Sequence, residues 1–318
     1  MCASAIRWSG FKEYIYGTTI QHNYNVGWGV MTLSSYDVFQ QSRQLPGWQT
    51  SMLGQILTNE TDPLFSWQYN EMSCENCKSG FNWNGTPTGT ESKLGDLNKA
   101  YVTGTNKDAA VLLIHDIFGW TFPNMRLLAD HFAAEANVTV YLPDFFNGEV
   151  VSLETMTNPE KRAQFSIPDF IARNSKDIRY PEILAYAKAL KSQYKKVAAI
   201  GYCYGAWACF RLGADPSVID AISTAHPSLL EKSEIDNVKV PVQILAPEQD
   251  HAFTPELKEH ANKVIPTLGV PYEYVYFPGL AHGFAGRGDQ NDKKQKDGLE
   301  RAKNSAVAFF KEFLHSST

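Results

Sequence analysis

The 318-residue sequence lacks several features that would assign it to a class at once. No stretch approaches the roughly 18 apolar residues of a membrane span, and the N-terminus has no basic start followed by an apolar segment. The five cysteines are odd in number and irregularly spaced, which argues against a disulfide framework. The formal net charge is -5 with dispersed basic residues, so neither nucleic acid nor a membrane surface is an expected partner. We expect a cytoplasmic protein with reduced cysteines.

The first 71 residues differ in composition from the rest. They are rich in Gln, Asn, Ser and Trp, and neither helical nor strand periodicity is sustained in them. Three interpretations are open: a poorly ordered extension, a coding region whose true initiator is Met72, or a folded accessory element. The main domain is predicted to cover residues 72–318.

Cys74 and Cys77 form a lone CxxC pair at the start of this domain. A zinc site needs a second pair of ligands at suitable spacing, and the sequence shows none. We therefore predict no metal and favour a surface feature over a redox or metal-binding role.

From about residue 94 the sequence alternates between apolar strands and amphipathic helices. This alternation predicts an α/β fold with a mainly parallel sheet covered on both faces. Strands are predicted at 110–117, 138–145, 196–203, 220–227, 240–248 and 272–279, and helices at 124–136, 180–193, 204–213, 254–265 and 296–314.

Polar residues follow several of these strands directly. His115 and Asp116 end one strand, Cys203 another and Asp250 a third, while His282 follows a fourth. In open α/β sheets ligands bind outside the carboxyl ends of the strands. We expect these side chains to converge in space.

The segment Gly201-Tyr202-Cys203-Tyr204-Gly205 fits the nucleophile-elbow pattern, with Cys in place of Ser. Glycines permit the tight strand-to-helix turn, and the helix N-terminus behind it favours a thiolate. The alternative is a buried structural cysteine, which is the interpretation we favour for Cys209 inside the helix.

A nucleophile needs a base, and the base needs an orienting group. Asp250 lies 47 residues after Cys203 (250 minus 203), and His282 a further 32 (282 minus 250). The order nucleophile, acid, histidine is that of α/β-hydrolases. His251 and His226 are rival histidines, interpreted as a loop residue and a structural residue.

The segment "HDIFGW" at residues 115–120 adds a second signal. It places the backbone amide of Ile117 where the loop after a hydrolase's third strand supplies half of an oxyanion hole. The amide of Tyr204, just after the nucleophile, is predicted to supply the other half.

Four motifs together carry a resemblance to a known family: "HDIFGW", "GYCYGAWACF", "APEQDHAFTP" and "AHGFAGR". In this order and spacing they resemble the dienelactone hydrolase family (carboxymethylenebutenolidase-like), especially its fungal-type members, over residues 72–315. The resemblance implies the α/β-hydrolase fold and a Cys-His-Asp triad of Cys203, His282 and Asp250. It also implies a lactone or ester substrate and a thioester intermediate. Acyl transfer to a thiolate needs no metal and no organic cofactor, so we expect neither.

The resemblance also bears on two charged positions. The family's bacterial enzyme has a glutamate before Ile-Phe-Gly that restrains the resting thiol; here it is Asp116, one methylene shorter, a candidate for gating the thiol. That enzyme clamps the substrate carboxylate with arginines, and Arg287 is the nearest counterpart of one of them. For the second arginine the sequence offers Arg162, Arg173 and Arg179 without a choice.

The predicted function is hydrolysis of a lactone or carboxylic ester, in aromatic catabolism or in secondary-metabolite biosynthesis. An alternative keeps the fold as a non-catalytic binding protein, because Asp116 departs from the family pattern and Tyr202, Tyr204 and Trp207 surround the elbow. A cysteine amidotransferase or redox sensor is disfavoured, since no HxE follows Cys203.

Overall fold

The computed structural model describes residues 83–315 and, before them, the backbone of two short strands. These strands, β1 (Glu13–Tyr16) and β2 (Ser51–Gly54), pair in parallel, with Glu13 opposite Ser51. The chain divides into two units, Met1–Ser73 and Cys74–Thr318. The interpretations of residues 1–71 as a whole and of the Cys74/Cys77 pair lie outside the described residues.

An eight-stranded sheet forms the centre of the second unit. Its strands in spatial order are β10-β9-β8-β7-β5-β6-β4-β3. Strands β5 to β10 run parallel, while β4 pairs antiparallel with β6, and β3 with β4. The predicted α/β-hydrolase fold is thereby confirmed. The strands are β3 (Thr90–Lys93), β4 (Lys99–Thr103), β5 (Ala109–Ile114), β6 (Thr139–Pro143), β7 (Lys196–Tyr202), β8 (Ala221–Ala225), β9 (Val242–Gln249) and β10 (Tyr272–Ala281).

Ten α-helices are described in residues 83–315. They are α1 (Pro123–Ala136), α2 (Leu153–Thr157), α3 (Pro159–Gln164), α4 (Ile167–Arg173), α5 (Lys176–Gln193), α6 (Ala206–Gly213), α7 (Lys232–Asp236), α8 (Pro255–Val264), α9 (Phe284–Arg287) and α10 (Lys293–His315). Within these residues no helix is both long and apolar enough to cross a membrane.

The two antiparallel strands and five short helices were not predicted. Every residue of β3 is exposed, so it carries no apolar pattern. Helices α2, α3 and α4 are too short to show a period, and local caps begin them: the side chains of Ser152, Asn158 and Ser166 accept backbone N–H groups of the first turn.

The buried centre of the sheet accounts for the continuous apolar strands. All six residues of β5 (AAVLLI) are buried, because helices cover both faces of a parallel sheet. Strand β5 lies between β6 and β7, with Ile114 opposite Gly201. The loop after β5 and the turn after β7 therefore meet at one edge of the sheet.

Helices α1 and α10 pack together on one face of this core. Phe132 of α1 is fully buried, and its ring meets that of Phe310 of α10 edge-on, with centroids 5.5 Å apart. Because protein interiors are close-packed, removing such a ring leaves a cavity that the surroundings fill only in part.

We predict that Phe132→Ala lowers the free energy of unfolding by about 3–5 kcal/mol, since it removes a fully buried ring. Urea unfolding followed by circular dichroism measures the change. Phe313→Ala is the matched control, because Phe313 is only partly buried at the edge of the same core. An equal loss in both variants would contradict this account of the core.

Candidate active site

Cys203 lies at the tight turn between β7 and α6. It begins a three-residue 3-10 turn, Cys203–Gly205, and has φ of +48°. A Cβ on Gly201 would lie 2.4 Å from the carbonyl oxygen of Gly205, and one on Gly205 would lie 2.3 Å from that of Ile114. Only glycine fits at these two positions. The strained backbone presents the sulfur at the carboxyl edge of the sheet.

Of the three residues predicted to act together, His282 lies within hydrogen-bond distance of both Cys203 and Asp250. His282 Nε2 is 3.1 Å from Cys203 Sγ, and His282 Nδ1 is 2.9 Å from Asp250 Oδ1. Asp250 Oδ1 also accepts the backbone N–H groups of Ala252 and Phe253, each at 2.9 Å. The structure thus brings together side chains from the ends of β7, β9 and β10.

The electrostatics of these groups favour a charged sulfur. Burial by itself raises the pKa of the Cys203 thiol, but the charge and hydrogen bond of His282, together with the charge of Arg287, lower it below its ordinary value. Burial opposes the charge on His282 too, yet Cys203 and Asp250 raise the pKa of His282 to about 9. Both shifts favour an imidazolium–thiolate pair over the uncharged pair. Burial alone raises the pKa of Cys209, so that thiol stays protonated.

Two backbone amides predicted to bind an oxyanion lie near this edge. Ile117 is in the loop after β5, and Tyr204 is in the turn after Cys203. The pairing of β5 with β7 brings these two segments side by side. The side chain of Tyr204 is turned into the core, where its hydroxyl donates to the carbonyl oxygen of Asn174 at 2.6 Å.

Asp116 and Arg287 form a buried pair beside the thiol. Asp116 Oδ2 lies 3.4 Å from Arg287 Nε, and Asp116 Oδ1 accepts the backbone N–H of Phe118 at 2.9 Å. The guanidinium also lies over the Phe118 ring, 5.0 Å from its centroid. Burial raises the pKa of Asp116, and the charge of Arg287 opposes this. Within the described residues, the hydrogen bonds of Cys203 Sγ go to His282 and Ser228.

The other three candidate arginines have partners of their own. Arg162 donates to the carbonyl oxygen of Phe165, Arg173 pairs with Glu149, and Arg179 donates to Asn174 and Glu182. Among the four candidate arginines, Arg287 is the one whose charge acts on the Cys203 thiol.

The rings of both rival histidines contact the ring of His282. The ring of buried His226 meets that of His282 at 4.9 Å between centroids, and neither ring nitrogen of His226 has a hydrogen-bond partner among residues 83–315. Burial lowers the pKa of His226 well below its ordinary value, so the ring is neutral. The His251 ring lies 5.2 Å from that of His282 on the exposed side.

One group of residues in 83–315 has donor atoms close enough to hold a metal ion. Atoms of Asp250, His251 and His282 lie within 4.8 Å of one another. However, Asp250 Oδ1 and His282 Nδ1 already bond to each other. A metal using those two atoms would have to break that bond.

Ser228 is a site residue that the sequence did not indicate. Its hydroxyl oxygen lies 3.3 Å from Cys203 Sγ and 3.5 Å from His282 Nε2, and its backbone N–H donates to the carbonyl oxygen of Cys203 at 2.9 Å. It follows β8, the neighbour of β7, and that placement after a strand was the available signal. The hydroxyl can donate a hydrogen bond to the thiolate.

A parallel sheet, and a nucleophile on a strand-to-helix turn facing a histidine and an aspartate, are features of the α/β-hydrolases; here a cysteine occupies that turn. The model of the dienelactone hydrolase family matches residues 99–314, and the chain belongs to that family. It is accordingly a hydrolase of carboxylic esters or lactones.

The chain is similar to proteins from distant organisms. Hydrolase tropI of Talaromyces stipitatus is 30% identical over 250 residues, covering 75% of this chain and 95% of its own. The human carboxymethylenebutenolidase homolog is 30% identical over 232 residues, 68% of this chain and 88% of its own. The crystal structure of a dienelactone hydrolase from Anabaena variabilis superposes with a TM-score of 0.52 at 16% identity, over 72% of this chain and 98% of that one.

We predict that Ser228→Ala raises the midpoint pH for alkylation of Cys203 by about 0.5–1 unit, because the thiolate loses a hydrogen bond of about 1 kcal/mol. Iodoacetamide labelling across pH, read on the Cys203 peptide by mass spectrometry, measures the midpoint. Ser223→Ala is the control, since that buried hydroxyl on β8 donates to Gln243 instead. An unshifted midpoint in Ser228→Ala would exclude the hydroxyl from this role.

Proposed function

We propose that Cys203, His282 and Asp250 act as a triad that hydrolyses a lactone or carboxylic ester through a thioester. The observation that carries the proposal is the continuous chain of contacts, 3.1 Å from sulfur to Nε2 and 2.9 Å from Nδ1 to carboxylate. Its electrostatic support is the raised pKa of His282 beside the lowered pKa of the thiol.

In the acylation half, the Cys203 thiolate attacks the carbonyl carbon and a C–S bond forms. The carbonyl electron pair moves to oxygen, and the amides of Ile117 and Tyr204 stabilise that oxyanion. As the tetrahedral intermediate collapses, the C–O bond breaks and His282 gives its Nε2 proton to the leaving oxygen. With a lactone, the alcohol so formed stays part of the acyl group.

In the deacylation half, His282 is neutral and takes a proton from a water molecule. The hydroxide attacks the thioester carbonyl, and collapse expels the Cys203 thiolate beside the re-formed imidazolium. Asp250 keeps the proton on Nδ1 throughout and holds the ring in line with the sulfur. The amides that donate to Asp250 keep its carboxylate ionised.

Arg287 is proposed to bind an anionic group of the substrate. Its guanidinium is buried and its partner Asp116 is at 3.4 Å, longer than a charge-assisted hydrogen bond. A substrate carboxylate could make shorter hydrogen bonds to Arg287 and release Asp116 from it. The negative charge of Asp116 raises the pKa of the Cys203 thiol. The name of the human relative, carboxymethylenebutenolidase homolog, agrees with a lactone that bears a carboxyl group.

Cys203→Ala is expected to lower kcat for p-nitrophenyl acetate by at least about 10³-fold, because the nucleophile is lost. Release of p-nitrophenol measures this. Cys209→Ala is the control, since that thiol is buried in α6 and stays protonated. Undiminished hydrolysis in Cys203→Ala would contradict the proposed mechanism.

The double variant Asp116→Asn/Arg287→Met tests the anion-binding role without leaving one buried charge unpaired. We expect kcat/KM for a p-nitrophenyl ester bearing a free carboxylate to fall at least about tenfold more than for p-nitrophenyl acetate, because a charge-assisted hydrogen bond is worth about 1.5–3 kcal/mol. Steady-state kinetics on both esters give the ratio. An equal fall for the two esters would contradict carboxylate recognition by Arg287.

A further inference from the structure

We propose that His115 is a positioning residue for the oxyanion-binding amide. In this proposal its imidazole fixes the peptide group between Asp116 and Ile117, so that the Ile117 N–H faces the substrate oxygen. The inference rests on the proposed function, because it assigns a role to the same site. It concerns a buried residue that the mechanism does not otherwise use.

The tautomer of His115 follows from its partners. Nε2 lies 3.2 Å from the backbone nitrogen of Phe145, and Nδ1 lies 2.9 Å from the carbonyl oxygen of Asp116. The Phe145 N–H can only donate, so Nε2 must be the unprotonated nitrogen. Nδ1 therefore carries the proton and donates it to the Asp116 carbonyl.

The Asp116 carbonyl accepts a second hydrogen bond on the same oxygen. The backbone N–H of Gly119 donates to it at 3.1 Å, across a turn in which Gly119 has φ of +81°. In a planar trans peptide the C=O and the following N–H point in opposite directions. Two donors that hold the Asp116 oxygen therefore also fix the direction of the Ile117 N–H.

These bonds also polarise the peptide group. Donors on a carbonyl oxygen draw electron density from the amide nitrogen, so a hydrogen-bonded peptide is a stronger donor at its N–H. His115 is thus expected to improve both the direction and the strength of the Ile117 donor at the moment when charge develops on the substrate oxygen.

The surroundings of His115 keep the ring still and neutral. It is fully buried, and the Phe146 ring meets it edge-on with centroids 4.5 Å apart. Burial lowers the pKa of His115 to about 4, with the nearby charges of Asp144 and Arg179 acting in opposite directions. A neutral ring is what the geometry requires, since an imidazolium could not accept from Phe145.

Two chemical probes separate this role from a merely structural one. Iodoacetamide alkylates Cys203 by displacement at a saturated carbon, which creates no oxyanion. A small aryl trifluoromethyl ketone instead undergoes addition of the thiolate to its carbonyl carbon. A C–S bond forms, and the carbonyl electron pair moves to oxygen, which becomes an oxyanion. Binding of the ketone therefore depends on the Ile117 amide, whereas alkylation does not.

His115→Asn and His115→Gln are the matched pair of variants. The asparagine amide can stand in place of Nδ1 and donate to the Asp116 carbonyl, whereas the glutamine amide reaches the position of Nε2 and leaves that carbonyl without its side-chain donor. We expect kcat for p-nitrophenyl acetate to fall, and Ki for the ketone to rise, by about 10-fold or more in His115→Gln. In His115→Asn we expect kcat and the ketone Ki to stay within about threefold of the wild-type values. The pH profile of Cys203 alkylation is expected to be unchanged in His115→Gln and in His115→Asn.

Equal losses of alkylation and hydrolysis in His115→Gln, or equal losses of ketone binding in both variants, would overturn the proposal. Should His115→Gln not fold, His115→Asn carries the test through the same measurements, and weakened ketone binding at unchanged alkylation would refute it. Failure of the triad itself is distinguishable, because it would show as hydrolysis that persists in Cys203→Ala.

Discussion

The close approach of the turn after β7 to the end of β5 is the constraint on which the site depends. Gly205 lies so near the Ile114 carbonyl that a Cβ would sit 2.3 Å from it. Gly205 packs the elbow directly against the end of β5, and Cys203, at the start of the elbow, has a positive φ. This contact also sets the distance between the sulfur and the loop after β5. The proposed nucleophile and the two amides proposed to bind the oxyanion therefore lie on either side of this contact.

Much of this arrangement follows from the sequence because it depends on patterns that act locally. Continuous apolar runs such as "AAVLLI" predict buried parallel strands, and polar residues just after such strands converge at one edge. The edge strand β3 was not predicted because all of its residues are exposed and it has no apolar pattern. The short helices were not predicted because local caps, rather than a helical period, begin them. The contacts of Ser228 depend on a loop whose path includes two left-handed residues, His226 and Leu229, and no sequence pattern marks that path.

The pairing of Asp116 with Arg287 is a contact that the sequence did not predict. Both positions were candidates, one for the thiol and one for a substrate carboxylate, and nothing in their spacing said that they would meet. The structure places Arg287 at 3.4 Å from Asp116 and over the Phe118 ring, and the charge of the same guanidinium lowers the pKa of the Cys203 thiol. A change at either residue therefore acts on the thiol as well.

The site combines two physical devices that stand on different strands. Charge acts on the sulfur: His282, which Asp250 holds, and Arg287 lower the pKa of the Cys203 thiol, and Asp116 raises it. In the proposed mechanism, fixed dipoles act on the substrate oxygen, through the backbone amides of Ile117 after β5 and Tyr204 after β7. The first device determines whether Cys203 is a thiolate. The second stabilises the oxyanion that forms when the thiolate attacks a carbonyl carbon, and it gives no such help to attack on a saturated carbon, where no oxyanion forms. Because His115 contacts only the second, its bonds to Asp116 and Phe145 give that device a support independent of the thiol. A thiol nucleophile in this fold therefore needs both devices, since a reactive sulfur without oriented amides would alkylate readily and hydrolyse esters poorly.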